Sequence, residues 1–256
     1  MVKPSARSLA RNTIHAAAQE LGGIAALLVV AAGLLLFNLI AEEVVEAEAH
    51  TFDMTILAIV RPDSSAPADP VGPWWVAYMA EDVTSLGSTA VLALMAAVAT
   101  GFLLIQGKRG SAVLLLLALG GALIVSETAK ALFDVERPPE IYRTFKTLNA
   151  SFPSGHALLA TSFYLTLGVV LARAQERRRA RAYLIGVAVL LAVLVGATRV
   201  FLAAHWATDV LGGICLGASW AMLCWLAAHL LRRSRLLSGP APQPVAPHRA
   251  LPPAQL

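Results

Sequence analysis

The chain has 256 residues, of which 57% are hydrophobic and only 14% charged, and its mean hydropathy is +0.68. A soluble domain is about a quarter charged, so this composition excludes one: the apolar excess must face lipid. The net charge of +4 does not point to nucleic acid, because the basic residues stand in short clusters between apolar runs, the pattern of a membrane-topology signal.

A spanning helix needs about 20 apolar residues. Six runs qualify, at about 21–41, 85–106, 111–133, 156–174, 182–200 and 206–231. The first is longer than the apolar core of a signal peptide and is followed closely by acids, so it reads as a retained helix. Lys3, Arg7 and Arg11 precede it; Lys108 and Arg109 join helices two and three; Arg173, Arg177, Arg178, Arg179 and Arg181 join four and five; Arg232, Arg233, Arg235 and Arg249 follow the sixth. Six crossings put all of these on one side, which the positive-inside rule makes cytoplasmic. Both termini are then expected in the cytoplasm. The opposite side holds Arg61, Lys130, Arg137, Arg143, Lys146 and Arg199 and most of the acids.

The predicted fold class is therefore all-α: a polytopic membrane protein of six helices in one bundle. Residues 1–20 form a cytoplasmic segment, 21–231 the membrane domain, and 232–256 a proline-rich cytoplasmic tail expected to be disordered. Three outer connections follow. The first, 42–84, is long and acidic, and carries Trp74 and Trp75, which suit the interface belt. The second covers 134–155 and the third 201–205. Cys215 and Cys224 lie in one apolar run and read as packing residues, neither a disulfide framework nor a metal site. His15, His50 and His248 read as solvated and His229 as interfacial. Gly212, Gly213 and Gly217 permit close helix packing.

Charged groups at membrane depth are costly and usually functional. Lys130 and Arg137 are seven apart, which on a continuing helix places them on one face, with Pro138 and Pro139 ending that helix. Arg199 is near the outer end of helix five. His205 and Asp209, four apart, start helix six on one face. Ser154, Gly155 and His156 sit where the second outer loop enters helix four. Each has a bland reading alone: a snorkelling cation, a helix pair, an N-cap. Together they have a chemistry. Arginine grips phosphate oxygens bidentately and lysine adds a point charge. A helix N-terminus approached through glycine offers amides to an anion. A His–Asp pair activates an imidazole, and a second histidine can protonate a leaving alcohol. The set reads as phosphoryl transfer. Glu127, one turn before Lys130, is expected to pair with it; Glu136 and Glu140 border the site, and Tyr142, Arg143 and Lys146 are placed to touch a headgroup.

Lys130 with Arg137-Pro138 fits K-x6-R-P, Pro153-Ser154-Gly155-His156 fits P-S-G-H, and Thr198-Arg199 with His205 and Asp209 fits S-R-x5-H-x3-D with Thr in place of Ser. In these motifs and their order the chain resembles the type 2 phosphatidic-acid phosphatase superfamily over about residues 52–231. The resemblance implies a lipid phosphatase in which His205 attacks phosphorus and becomes phosphohistidine, Asp209 holds its other ring nitrogen, and His156 protonates the leaving oxygen and then activates water. It implies that Lys130, Arg137, Arg199, Ser154 and the Gly155 N–H bind the phosphoryl oxygens, with no metal and no cofactor. The expected partner is an amphiphilic lipid phosphate: undecaprenyl pyrophosphate, phosphatidylglycerophosphate, phosphatidic acid or a lipid A phosphate, with the first, or a broad specificity, preferred. No nucleic acid or obligatory protein partner is expected. The site would face the periplasm or exterior of a bacterial cytoplasmic membrane. A lipid phosphotransferase using the same intermediate, and a non-catalytic lipid-phosphate binder or transporter, are the rival readings.

Overall fold

The computed structural model describes residues 6–46, 50–63, 65–143 and 149–237, with backbone only for 6–21 and 232–237. Lys3, His15, Lys146, His248, the side chains of Arg7, Arg11, Arg232, Arg233 and Arg235, and the tail from residue 238 with Arg249 lie outside what is described. Among the described residues every regular element is helical: α1 (Ala6–Val45), α2 (His50–Val60), α3 (Trp74–Ser85), α4 (Thr89–Ile105), α5 (Arg109–Phe133), a 3-10 turn at Glu140–Tyr142, α6 (Gly155–Arg173), α7 (Arg178–Phe201) and α8 (Ala207–Leu237).

Five of these, α1 from Gly22 onward, α5, α6, α7 and α8 as far as Leu231, are long and apolar enough to cross a bilayer. Helices α3 and α4 meet at a 48° bend and pass the same test together, as a broken span or a re-entrant loop would. The straight helix in the expected second span begins at Thr89. Residues 42–84, expected as an outer connection, hold α2 and most of α3. Glu81 and Asp82 are why α3 reads as loop in the sequence. Ser88 makes the break, its hydroxyl capping α4 by accepting from the Val91 N–H at 3.3 Å. Gly87 makes room for it: a Cβ there would stand 3.2 Å from the His156 carbonyl.

Helix α6 is the axis of the bundle. Thirteen of its residues are buried, because α5, α7 and α8 all pack around it. Small residues let the backbones close up: side chains at Gly213 or Gly217 of α8 would run into the carbonyls of Ser154 and Leu158. At membrane depth polar side chains must be satisfied across helices. Ser162 Oγ and Trp220 Nε1 both donate to the Ala118 carbonyl at 3.0 Å, and Tyr164 Oη donates to the Leu86 carbonyl at 2.9 Å.

At the outer end the chain departs from the sequence reading at Arg137. Helix α5 stops at Phe133, where Asp134 turns left-handed (φ 42°) and its N–H closes on the Lys130 carbonyl at 3.1 Å. Lys130 and Arg137 therefore do not share a helix face. Arg137 stands in the non-helical segment that follows, before Pro138, which itself excludes helical backbone at Arg137. Asp134 ends the helix, and the prolines only keep it ended.

Phe152 locks this end. It is fully buried, stacks on Phe37 of α1 at 5.5 Å and meets Phe133 of α5 edge-on at 5.2 Å. We expect Phe152→Ala to lower unfolding stability in detergent by about 3 kcal/mol or more, seen as a fall in melting temperature; an unchanged melting temperature would show that the aromatic cluster is not the lock.

Candidate active site

Three segments converge at one end of the bundle, where α5 and α7 finish and α8 begins. The link from α7 to α8 is a tight turn in which Ala203 is left-handed (φ 50°) and the amides of Ala204 and His205 both donate to the Arg199 carbonyl, at 3.0 and 3.3 Å. This places His205 just ahead of α8, not inside it. The start of α6 is tied to α8 by the Ser154 N–H, which donates to the Asp209 carbonyl at 2.9 Å. The segment after α5 joins through the Ser151 N–H, which donates to the Val135 carbonyl at 2.8 Å. The eight candidate residues thus gather around one point.

Asp209 is entirely buried and His205 nearly so. Asp209 Oδ2 lies 3.2 Å from His205 Nδ1, accepts the Trp206 N–H at 2.9 Å and accepts a short hydrogen bond from Ser151 Oγ. On the other side of the ring, Arg137 Nη1 lies 3.1 Å from His205 Nε2. A guanidinium can only donate. His205 Nε2 must therefore carry the lone pair, and Nδ1 the proton directed at Asp209. That is the tautomer in which Nε2 is nucleophilic. Burial, then the charges of Arg137, Arg199 and Lys130, hold the His205 imidazole well below its usual protonation range.

Arg137 is held by a fan of acceptors: the Asn149 carbonyl at 2.8 Å from Nε, Asn149 Oδ1 at 2.9 Å and the Ala150 carbonyl at 3.3 Å from Nη2, and the Ala204 carbonyl at 2.6 Å from Nη1. Arg199 is buried, with Nη1 3.4 Å from Thr84 Oγ1 of α3. Lys130 pairs with Glu127 at 3.4 Å, as expected, and its ammonium also reaches α6: a Cβ on Gly155 would stand 3.2 Å from Nζ. His156, second residue of α6, lies within electrostatic reach of Arg199, His205, Lys130 and Arg137. Thr198 turns its hydroxyl to its own helix, onto the Val195 carbonyl at 2.8 Å, so the exchange from Ser leaves the site untouched.

Four buried polar atoms at this point have no protein partner: Ser154 Oγ, Ser126 Oγ, Arg199 Nε and Asp209 Oδ1. Ser154 starts α6 without capping it. Buried polar atoms left unpaired are costly, and three of these four can donate to an oxyanion. Among the described residues no three His, Cys, Asp or Glu side chains converge to hold a metal ion.

Ser151, Asn149, Thr84 and Arg61 did not stand out in the sequence. Arg61 is buried and bonds the carbonyls of Tyr142 (3.1 Å) and Phe201 (2.7 Å), tying the second outer loop to the end of α7. Ser151 had a signal in hindsight, two residues before Pro153 of the motif. The others are joined to the site only by the fold. Arg143, placed near a headgroup by the sequence, bonds the Pro138 carbonyl at 2.5 Å. His229 stacks on Trp225 at 5.2 Å.

This is a multi-span membrane protein with a buried His–Asp pair ringed by cations at one end of the bundle. Residues 111–233 match the family model of the PAP2 superfamily and form a PAP2 superfamily domain. It is 29% identical over 149 residues to phosphatidylglycerophosphatase B of Bacillus subtilis strain 168, covering 56% of this chain and 70% of that one. The fold is similar to the crystal structure of a transmembrane PAP2-type phosphatidylglycerolphosphate phosphatase from Bacillus subtilis, with a TM-score of 0.70, 23% identity, and 77% and 94% of the two chains covered. It is also similar to LpxE of Aquifex aeolicus, with a TM-score of 0.51, 21% identity, and 67% and 93% covered.

The tautomer argument has a direct check. Nitrogen-15 histidine spectra of the detergent-solubilised protein should show His205 neutral and protonated on Nδ1 at pH 6.5, the ordinary imidazole midpoint, with titration only on the acid side. A midpoint at or above that value would contradict the geometry.

Proposed function

We propose that this protein is a lipid phosphatase working through a phosphohistidine on His205. The observation that carries the reading is the His205 ring: Nδ1 on Asp209 and Nε2 turned to Arg137, amid unpaired buried donors that a phosphoryl group would satisfy.

In the first step His205 Nε2 bonds to phosphorus as the bond from phosphorus to the leaving oxygen breaks. His156 gives its proton to that oxygen, and the alcohol or phosphate departs. The imidazolium formed keeps its Nδ1 proton on Asp209. In the second step His156 takes a proton from water, the hydroxyl oxygen bonds to phosphorus, the P–N bond breaks, and inorganic phosphate leaves with His205 restored. Lys130, Arg137, Arg199, Ser154 and the Gly155 N–H hold the phosphoryl oxygens, where charge accumulates in both transition states.

The substrate is an amphiphile, because the site lies at the end of apolar spans whose neighbours in the membrane are lipids. The similarity to phosphatidylglycerophosphatase B supports ranking phosphatidylglycerophosphate first among the candidates, ahead of undecaprenyl pyrophosphate, phosphatidic acid and lipid A. The clusters Lys108–Arg109 and Arg173–Arg181 lie at the far end of the spans from the site, which supports a bacterial cytoplasmic membrane location with the site facing outward. Residues 21–231 make up the membrane domain in this reading.

The decisive experiment is phosphate release by the purified protein in detergent with EDTA, on that four-lipid panel. Wild type should release phosphate, and His205→Ala should lose about a thousandfold or more in kcat. His205→Ala acting at near wild-type rate would sink the reading. A second expectation concerns His156. With p-nitrophenyl phosphate, whose leaving group needs no acid, His156→Ala should give a burst of about one nitrophenolate per site and then turn over about a hundredfold more slowly than wild type. Loss of the burst would deny His156 the role of acid to the leaving group.

A further inference from the structure

Helix α2 lies outside all three motifs and outside the matched domain. Among the described residues two acidic side chains are buried: Asp209 of the site, and Asp53 of α2, 5% exposed. The helix shows Phe52, Met54 and Ile59 to the surroundings and buries Leu57, one turn on from Asp53, so this carboxylate lies on its inward face.

It turns onto the first turn of α8. Asp53 Oδ1 accepts the Thr208 N–H at 3.1 Å and Oδ2 accepts Thr208 Oγ1 at 2.6 Å. Thr208 precedes Asp209. The first amides of a helix have no partner within it, and here two carboxylates supply them: Asp209 takes the Trp206 N–H at 2.9 Å and Asp53, 155 residues away, takes that of Thr208. Helix α2 also reaches Trp206, whose ring meets His50 edge-on at 6.0 Å and whose Nε1 donates to the Glu136 carbonyl at 2.9 Å, next to Arg137. These residues border an outer cavity of about 420 Å³. Placing a second carboxylate beside Asp209 is unfavourable: burial, and to a smaller extent the Asp209 charge, push Asp53 above its usual carboxyl range against the Thr208 hydrogen bonds. A plain N-cap would need only a local Ser or Asn.

We propose that Asp53 is a positioning residue for the reaction: by holding Thr208 it fixes the first turn of α8 so that the Asp209 carboxylate faces His205 Nδ1. The inference rests on the phosphohistidine reading above. A reacting group displaced by about 1 Å can lose about a hundredfold in rate, so a tie one residue from Asp209 is enough to matter.

The test compares Asp53→Ala, Asp53→Asn and Thr208→Val in the full-length detergent-solubilised protein with phosphatidylglycerophosphate. Asp53→Ala should lower kcat about tenfold to a hundredfold with KM changed less than about threefold. Asp53→Asn should recover to within about threefold of wild type, since its amide still accepts from the Thr208 N–H and donates to Thr208 Oγ1. Thr208→Val, which removes one of the two bonds, should fall between the two. A folded Asp53→Ala whose kcat stays within about twofold of wild type overturns the proposal, whatever its melting temperature. If Asp53→Ala does not fold, Thr208→Val decides by the same criterion. If wild type releases no phosphate from any lipid of the panel, the hydrolase reading falls, and positioning of the His205–Asp209 pair is judged on orthovanadate affinity: about tenfold weaker binding by folded Asp53→Ala, or by Thr208→Val, upholds it, and equal binding overturns it.

Discussion

One constraint governs this end of the bundle: a fully buried carboxylate, Asp209, has to be kept at the head of a membrane-spanning helix. An uncompensated charge there would be prohibitive. The structure answers with three donors on a single oxygen, from the Trp206 amide, the Ser151 hydroxyl and the His205 ring. Each donor fixes a different stretch of chain. Trp206 sets the start of α8, Ser151 brings in the long segment after α5, and His205 forces the tight turn out of α7. Satisfying one acid thereby assembles three segments that the sequence scatters over some seventy positions.

Backbone carbonyls do the rest of the assembly. Arg137 and Arg61 direct most of their donors at main-chain oxygens of Asn149, Ala150, Ala204, Tyr142 and Phe201. Those oxygens belong to the second outer loop and to the end of α7 and its turn, where no helix or strand partner exists. Guanidinium groups suit this task because five donors on a rigid plane can serve several carbonyls at once. The two arginines thus tie together the loops at this end of the bundle, and Arg137 does so while touching His205 Nε2.

The spans were legible because hydropathy is a local property of the chain. The eight candidate residues could be picked out because their spacing within three short motifs is local too, and the fold brings them to one end of the bundle. What escaped was either conformational or long-range. A left-handed Asp134 leaves no mark in composition, so the proline pair seemed to end α5 and Arg137 seemed helical. The acids of α3 masked a helix that passes the span test only together with α4. Asp53, Thr84 and Arg61 owe their positions to contacts across 155, 115 and 140 positions respectively, and no window on the sequence spans such distances. Ser151 is the instructive case, adjacent to a motif yet outside it, and named only by what it touches.

The site is also unbalanced in its electrostatics, and this bears on how a substrate would enter. Lys130, Arg137 and Arg199 act on a neutral imidazole, while Glu127, which is exposed, pairs with Lys130, Asp209 faces the far side of the ring, and Asp53 lies beyond it on Thr208. Arg137 meanwhile rests on the lone pair of His205 Nε2, the atom that the proposed mechanism needs free. In the proposed mechanism a phosphoryl group would resolve both difficulties in one move. Its oxygens are stronger acceptors for Arg137 than a neutral ring nitrogen, so the guanidinium would transfer its donor to the anion and uncover Nε2. The same oxygens would offset the clustered cations and give acceptors to the idle donors of Ser154 and Arg199. On this view the resting contact between Arg137 and His205 keeps the nucleophile in its reactive tautomer, and the only ligand that readily displaces it is one carrying the charge the site lacks.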